Sequence, residues 1–488
     1  MSSTFEHVPL TVSSQGRPRD LTLYFSAIIA VVVQSAVLFW VIVPYLEHAG
    51  HGLYSFGFVD DYDKLGFNIA YGNGYRFFTD AGLTLMREPG YPLFLAAAFK
   101  LFGYGLQAAR IANVGLLVVA SCALIALAQR VSTKRWVPLV AVALFLLHPG
   151  VIVAEMRGGV EIIFIAFLLL FVLAMYRAID SGKVRAYLIA GAVLGLTTSV
   201  RSTALLYPLM LPFLLFFMNK QSLSVRYIVP RLALLYLAVA VVLAPWTIRN
   251  YRLVGAIIPT ASVQGVAAHA GQYICEHMDA QHGFLELDLQ SAWVRRYMAQ
   301  DLGYRFHWGY YLYFLDPRDE VSFNKVLMNS VVSKYKANPA LFARCAAENV
   351  FNFWFAGKTW RSTWLNIAVQ TPYLLLAALG IWGSIKQRRF NHIAILVGLV
   401  AYLFCLHVPI HSQARYSVPL VPFLAVLAAM FLARIEWWKL LRGKRPEKIA
   451  HGSSAALHCV REARFSKTPK VHGEITLANL LVSPIAKQ

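Results

Sequence analysis

Residues 60–102 read DDYDKLGFNIAYGNGYRFFTDAGLTLMREPGYPLFLAAAFKLF, and the fold turns on what lies either side of them. An apolar run at 21–44 precedes the stretch, and a second apolar run, at 106–129, follows it. Each run is long enough for a bilayer crossing, which takes about 20 residues. The stretch between them therefore belongs at a membrane surface. It is acidic, with Asp60, Asp61, Asp63, Asp80 and Glu88. Its middle is a GNGY turn in which Gly72 and Gly74 supply positive φ; no strand-to-helix context makes it a phosphate loop. Pro89 opens the aromatic-rich apolar end. Carboxylates this close to a membrane span are costly to hold there, which marks them as candidate functional groups.

Composition agrees. The chain of 488 residues is 58% hydrophobic and 14% charged, against about 45–50% and about 25% in soluble domains. Its mean hydropathy is +0.55. These values exclude a soluble globular protein. The net charge of +21 falls in short clusters between apolar runs, the pattern that orients helices in a membrane. A nucleic-acid binder would gather such charge on one soluble face, so that class is set aside. Five cysteines are scattered. Cys122 and Cys405 fall inside apolar runs; Cys275 and Cys345 share one polar segment and could pair, although two cysteines establish no framework.

Outward from the opening stretch, basic clusters assigned to the inner side give a topology of about ten spans: 21–44, 106–129, 136–154, 162–176, 187–200, 202–218, 232–246, 364–385, 394–408 and 416–433. The runs at 187–200 and 232–246 are short for a full crossing, and 89–103 is either a further span or an interfacial helix. The domain reading is a cytoplasmic N-terminus at 1–20, a transmembrane core at 21–246 with an exterior loop at 45–103, an exterior segment at 247–362, C-terminal spans at 363–435 and a basic, disordered cytoplasmic tail at 436–488. Helices are expected in the exterior segment at 287–302 and 320–335, the latter ended by Asn338-Pro339. In this topology the acids of the first loop, Glu155, Glu161, Arg201, Arg249, His407, His411 and Arg415 all reach the exterior side. Such one-sided convergence reads as an active site at one membrane face. A secondary transporter would show mid-membrane polar groups and a repeated half, and no repeat is visible.

The order of motifs carries a resemblance. An acidic loop with Tyr62 and Leu65, then GNGY, REPGYPLFLAAAFKLFG (87–103), GLTTSVRSTALLYPLML (195–211), APWTIRNYRLVGAIIPT (244–260) and HSQARYSVPLVPFLAVL (411–427) together resemble GT-C class membrane glycosyltransferases. The branch resembled is that of protein O-mannosyltransferases and lipid A aminoarabinose transferases, over most of 20–435. The resemblance implies an all-α polytopic bundle of about 10–13 transmembrane helices with exterior loop helices. It also implies an inverting transfer of a sugar from a polyprenyl-phosphate carrier to an acceptor at the exterior face.

That reaction needs a base, a cation at the leaving phosphate and an apolar groove for the lipid. Asp60 or Asp61 is the base, and the doubled acid leaves the choice open; Asp63 is a weaker third. Desolvation in a partly apolar site raises a carboxylate's proton affinity and suits it to that work. Arg87, Arg201, Arg249 and Arg415 are candidates to hold the donor phosphate through charge-assisted bonds, although arginines at helix ends also simply snorkel. Glu155 and Glu161 flank the turn MRGGV and, with Tyr75 and Tyr91, are candidates for acceptor or sugar binding; helix-end capping is the bland alternative. Glu88, His269 and His411 are the residues able to meet a divalent metal ion, although no ligand spacing supports one.

Expected partners are a polyprenyl-phosphate-linked sugar, the lipid bilayer and an acceptor that is a protein, lipid A or a glycan. The absence of an Asn-x-Ser/Thr sequon sits more easily with a bacterial inner membrane than with an endoplasmic reticulum. A transporter or flippase, and a polysaccharide polymerase handling lipid-linked glycans, are the competing readings.

Overall fold

In hydrocarbon every backbone N–H and C=O must be bonded within the chain, and a helix does this within one segment. The computed structural model, which describes residues 20–48, 58, 60–217, 225–277, 314–357 and 359–435, accordingly places a helix on each of the ten apolar runs. No strand occurs among the described residues. Six helices are long and apolar enough to cross a membrane: Leu21–Leu46, Leu106–Val131, Val160–Ser181, Val225–Val254, Trp360–Lys386 and Ala414–Leu432. A seventh span results if Val137–Leu146 and Pro149–Met156, bent by 55°, are taken together. Gly90–Phe102, Val184–Val200, Ser202–Phe217 and Ala394–His407 are shorter apolar helices. The chain is a polytopic, all-α integral membrane protein.

Helices are numbered in chain order. The first three are α1 (Leu21–Val37), which runs through a π turn into α2 (Val43–His48), and α3 (Tyr62–Ala70). Then come α4 (Gly90–Phe102), α5 (Leu106–Val131), α6 (Val137–Leu146), α7 (Pro149–Met156), α8 (Val160–Ser181) and α9 (Val184–Val200). They are followed by α10 (Leu211–Phe217) and α11 (Val225–Val254). The run expected at 232–246 is thus part of a helix of 30 residues, because Pro230 and Pro245 each cost one amide bond without ending it. The main core surrounds α8, whose residues 160–166 are buried on every side and which packs against α5 and α9. A helix apolar all round belongs at the centre of such a bundle.

A second, smaller core joins the opening stretch to the segment after α11. Leu65, Tyr75, Phe77 and Met86 pack with Ala270, Tyr273, Phe314, Phe323 and Leu327. Ala270 and Tyr273 lie on α12 (Gln264–His277), Phe323 and Leu327 lie on α13 (Pro317–Ala337), and Phe314 just precedes α13. Asp316 starts α13 by accepting from the Arg318 N–H at 2.8 Å. Asn338 ends it and caps α14 (Pro339–Phe355), accepting from Leu341 N at 3.1 Å, as the Asn-Pro breaker predicts. The disulfide Cys275–Cys345 ties α12 to α14. Three further helices complete the chain to Ile435: α15 (Trp360–Lys386), α16 (Ala394–His407) and α17 (Val421–Leu432), the last entered through a 3-10 turn at Ala414–Leu420. The helix expected at 287–302, the residues 1–19 and the tail at 436–488 lie outside the described residues.

Candidate active site

Asp60 and Asp61 both adopt left-handed backbone, at φ 68° and 53°. Short polar side chains tolerate that region best. The reversal turns the chain into α3 and sends the two carboxylates to different partners. Asp61 pairs with Lys64, one turn on, at 2.7 Å. Asp60 instead accepts from Arg415 Nη2 at 2.8 Å and lies 3.8 Å from Arg87 Nη2. Asp63 accepts from the Tyr104 hydroxyl at 3.1 Å, and burial pushes its carboxyl above the ordinary range.

From Asp60 the contacts form a closed circuit. The Arg87 guanidinium lies 5.4 Å from the Tyr62 ring. Its backbone is fixed by Tyr75, whose hydroxyl donates to the carbonyls of Arg87 and Glu88 at 3.0 and 3.1 Å. Glu88 accepts from the Ser202 N–H at 3.0 Å. The neighbouring Arg201 donates to Glu161 at 2.7 Å. Arg201 also lies 5.9 Å from the ring of Tyr416, and Arg415 lies 5.5 Å from the same ring. Arg415 returns the circuit to Asp60. Gly90 permits this closure: a Cβ there would come within 2.7 Å of the Ser199 carbonyl, so a side chain would drive α4 off the end of α9.

Three guanidiniums and three carboxylates from four separate parts of the chain thus share one site. Arg415 is its most open member, its side chain 35% exposed against 14% for Arg87 and Arg201. An anion arriving there meets forked donors whose present partners are carboxylates it can displace. His407 and His411 border the site, their rings 5.1 and 5.7 Å from Tyr416.

Several expected members have other partners. Glu155 is buried and closed off by α1, with Gln34 and Ser35 donating to its carboxylate at 2.8 and 2.6 Å, so it is not available to a sugar. Tyr91 is buried and donates to the Gly158 carbonyl, and Tyr75 is buried behind Arg87; both position backbone. Arg249 donates to Thr84 O and Asn250 Oδ1, each at 2.9 Å, stacks on Trp246 at 4.4 Å and lies 5.2 Å from the Tyr75 ring. Among the described residues no three His, Cys, Asp or Glu side chains are arranged to hold a metal ion. Glu88, His269 and His411 therefore form no ligand set: Glu88 holds Ser202, His411 meets Gln413 at 2.7 Å, and His269 lies in the field of Lys334 and Glu276.

Sequence reasoning missed Glu320. It is buried at the start of α13 and accepts from Thr84 Oγ1 at 2.7 Å, from Leu85 N at 3.0 Å and from the Ser262 hydroxyl. Burial pushes its carboxyl upward, against the pull of these donors. In the sequence it reads only as an acid in a first helical turn, and nothing signals the clasp that locks the Arg87 loop onto α13.

Residues 87–248 match the sequence family described as dolichyl-phosphate-mannose-protein mannosyltransferase. No protein of curated function matches the chain. The fold is similar to that of ArnT from Cupriavidus metallidurans solved with undecaprenyl phosphate: TM-score 0.52, 15% identity, covering 87% of this chain and 62% of that one. The chain therefore spans about three fifths of ArnT's length. The archaeal oligosaccharyltransferase AglB from Archaeoglobus fulgidus, solved with an inhibitory peptide and a dolichol-phosphate, aligns at TM-score 0.48 and 14% identity, covering 86% of this chain and 51% of its own. The GT-C fold implied by the motifs is the fold observed.

Proposed function

We propose that the protein is an inverting glycosyltransferase that moves a sugar from a polyprenyl-phosphate carrier to a nucleophilic acceptor. The observation that carries the reading is the Asp60 carboxylate between Arg87 and Arg415, in one circuit with Arg201. The match of 87–248 to a mannosyltransferase family and the fold shared with a protein solved with undecaprenyl phosphate support it.

Asp60 is the better candidate for the base, because it lies between arginines suited to a phosphate, whereas Asp61 turns to Lys64. In the resting protein the two arginines neutralise Asp60. A carrier phosphate draws them to its own oxygens and leaves the carboxylate free to take a proton. The acceptor's nucleophilic atom then attacks the anomeric carbon from the face opposite the phosphate. The bond from that carbon to the phosphate oxygen breaks, and its electron pair leaves with the polyprenyl phosphate. The acceptor's proton passes to Asp60. The leaving group gains one negative charge, which Arg87, Arg201 and Arg415 stabilise where water is scarce.

We place the reaction at the exterior face of a bacterial inner membrane. The Cys275–Cys345 disulfide supports this side, since such bonds persist in oxidising compartments. It lies in the segment that packs on the Asp60 loop.

Asp60→Asn should lower transfer from a polyprenyl-phosphate sugar by about 10²–10⁴-fold, the usual worth of a general base. Undecaprenyl phosphate should still bind and the protein still insert. Asp61→Asn should stay within about threefold of wild type, the range expected of a partly exposed pair outside the Asp60–Arg415 contact. Full activity in Asp60→Asn, or vesicles that translocate the lipid-linked sugar without any covalent product, would overturn the proposal.

A further inference from the structure

A buried polar cluster sits where α6 breaks into α7, outside the chemistry above. The helices meet at His148-Pro149 and bend by 55°. At the break, His148 N bonds back to Phe145 O, and the Leu144 carbonyl it would otherwise use accepts from the Tyr373 hydroxyl at 2.7 Å. The His148 ring packs edge-on against Tyr373, with centroids 4.9 Å apart. Its Nδ1 accepts from the Gly150 N–H at 3.1 Å, which leaves the proton of the neutral ring on Nε2. Gln370, one turn before Tyr373 on α15, lies beside the ring. His148 Nε2 and Gln370 Oε1 are both buried, and neither makes a hydrogen bond. The Gln370 amide donates to Ser417 Oγ at 3.1 Å, and the Ser417 hydroxyl donates to the Ala414 carbonyl at 2.7 Å. From Gln370 onward both groups donate in the same direction, and the chain ends on the residue before Arg415.

We propose that His148 and Gln370 are positioning residues that set Arg415 against Asp60. This rests on the transferase reading. A buried amide that loses its partner in an apolar interior is strongly disfavoured, so the Gln370–Ser417 bond holds the Ala414–Leu420 turn in its seating, and the His148–Gly150 bond fixes the backbone that the turn packs against. Contact between the elements reinforces that seating: a Cβ on Gly150 would come 2.8 Å from the Val418 side chain. The same break leads through α7 into the 157–159 turn, whose Gly158 holds Tyr91. One cluster therefore fixes both walls of the site.

The test uses Gln370→Leu and His148→Phe, which keep bulk and remove the polar groups, with His148→Gln as a conservative control that retains an acceptor for the Gly150 N–H. Two readouts are taken on the full chain in membranes. The first is sugar transfer, alone and in an Arg415→Ala background. Each apolar variant should lose about tenfold in kcat, the scale of a misplaced group, and lose nothing further once Arg415 is absent. His148→Gln should recover most of the activity. The second needs no substrate: Asp60→Cys and Arg415→Cys, in a background lacking Cys122, Cys405 and Cys459, joined by a short bis-methanethiosulfonate. Gln370→Leu should cut the cross-linking yield by about fivefold. Unchanged cross-linking, or equal losses with and without Arg415, would overturn the inference. Normal cross-linking loss with no transfer by the wild type would instead sink the transferase reading alone.

Discussion

Asp60 and Asp61 are adjacent, chemically identical and both left-handed, yet only Asp60 meets Arg415, 355 positions away in sequence. That contact is invisible to local pattern, which is why the sequence left the two acids equivalent. The glycines of GNGY were legible, and both take positive φ, 82° for Gly72 and 84° for Gly74. The convergence of arginines and acids was expected as a class, but not which arginine meets Asp60: Arg249 stacks on Trp246, while Arg87 and Arg415 reach the carboxylate. Glu320 shows the same limit in reverse, a residue with no sequence signal and three donors aimed at it. Glu320→Ala would leave those donors buried without an acceptor, a loss on the order of 3 kcal/mol. Thermal melting of the detergent-purified protein should show it, with sugar transfer falling as the Arg87 loop loosens.

At the scale of elements, α12, α13 and α14 depend on each other and on the loop they cover. The disulfide closes a separation of 70 residues between α12 and α14. A loop of that length implies about 4 kcal/mol of stabilisation in the chain-entropy account. Reduction, or Cys275→Ser with Cys345→Ser, should therefore make this segment far more sensitive to added protease, while the spans stay intact. His269, on α12, adds a pH dependence. Burial, helped by Lys334 and opposed by Glu276, lowers it from 6.5 to about 4. Between those values the unfolded chain binds the proton and the folded one does not, so acidification across that window favours unfolding. Hydrogen exchange in α12, corrected for intrinsic rates, should accelerate as pH falls from 6.5 towards 4, and His269→Asn should flatten the response. The sequence reading found the end of α13 at Asn338 because capping is local, and it found the possible pairing of the two cysteines without being able to establish it.

At the scale of the whole molecule, helix positions were the most readable feature, because apolar length is set by the bilayer and each of the ten runs carries a helix. Lengths were less readable. Prolines 230 and 245 do not stop α11, and the run at 136–154 breaks at His148-Pro149 where a single span was expected. Sidedness can be measured directly: cysteines placed in the 132–135 and 387–389 loops should resist a membrane-impermeant thiol reagent in intact cells, whereas one at Lys64 should react. The circuit that closes on Arg415 has a consequence for biogenesis. Until Arg415 has been synthesised, Asp60 lacks the nearer of its two arginines, and the proposed centre is incomplete. Premature termination anywhere upstream of that arginine should yield an inserted product without the proposed transfer activity. Co-expressing the missing C-terminal helices as a separate fragment is the way such a product would regain competence.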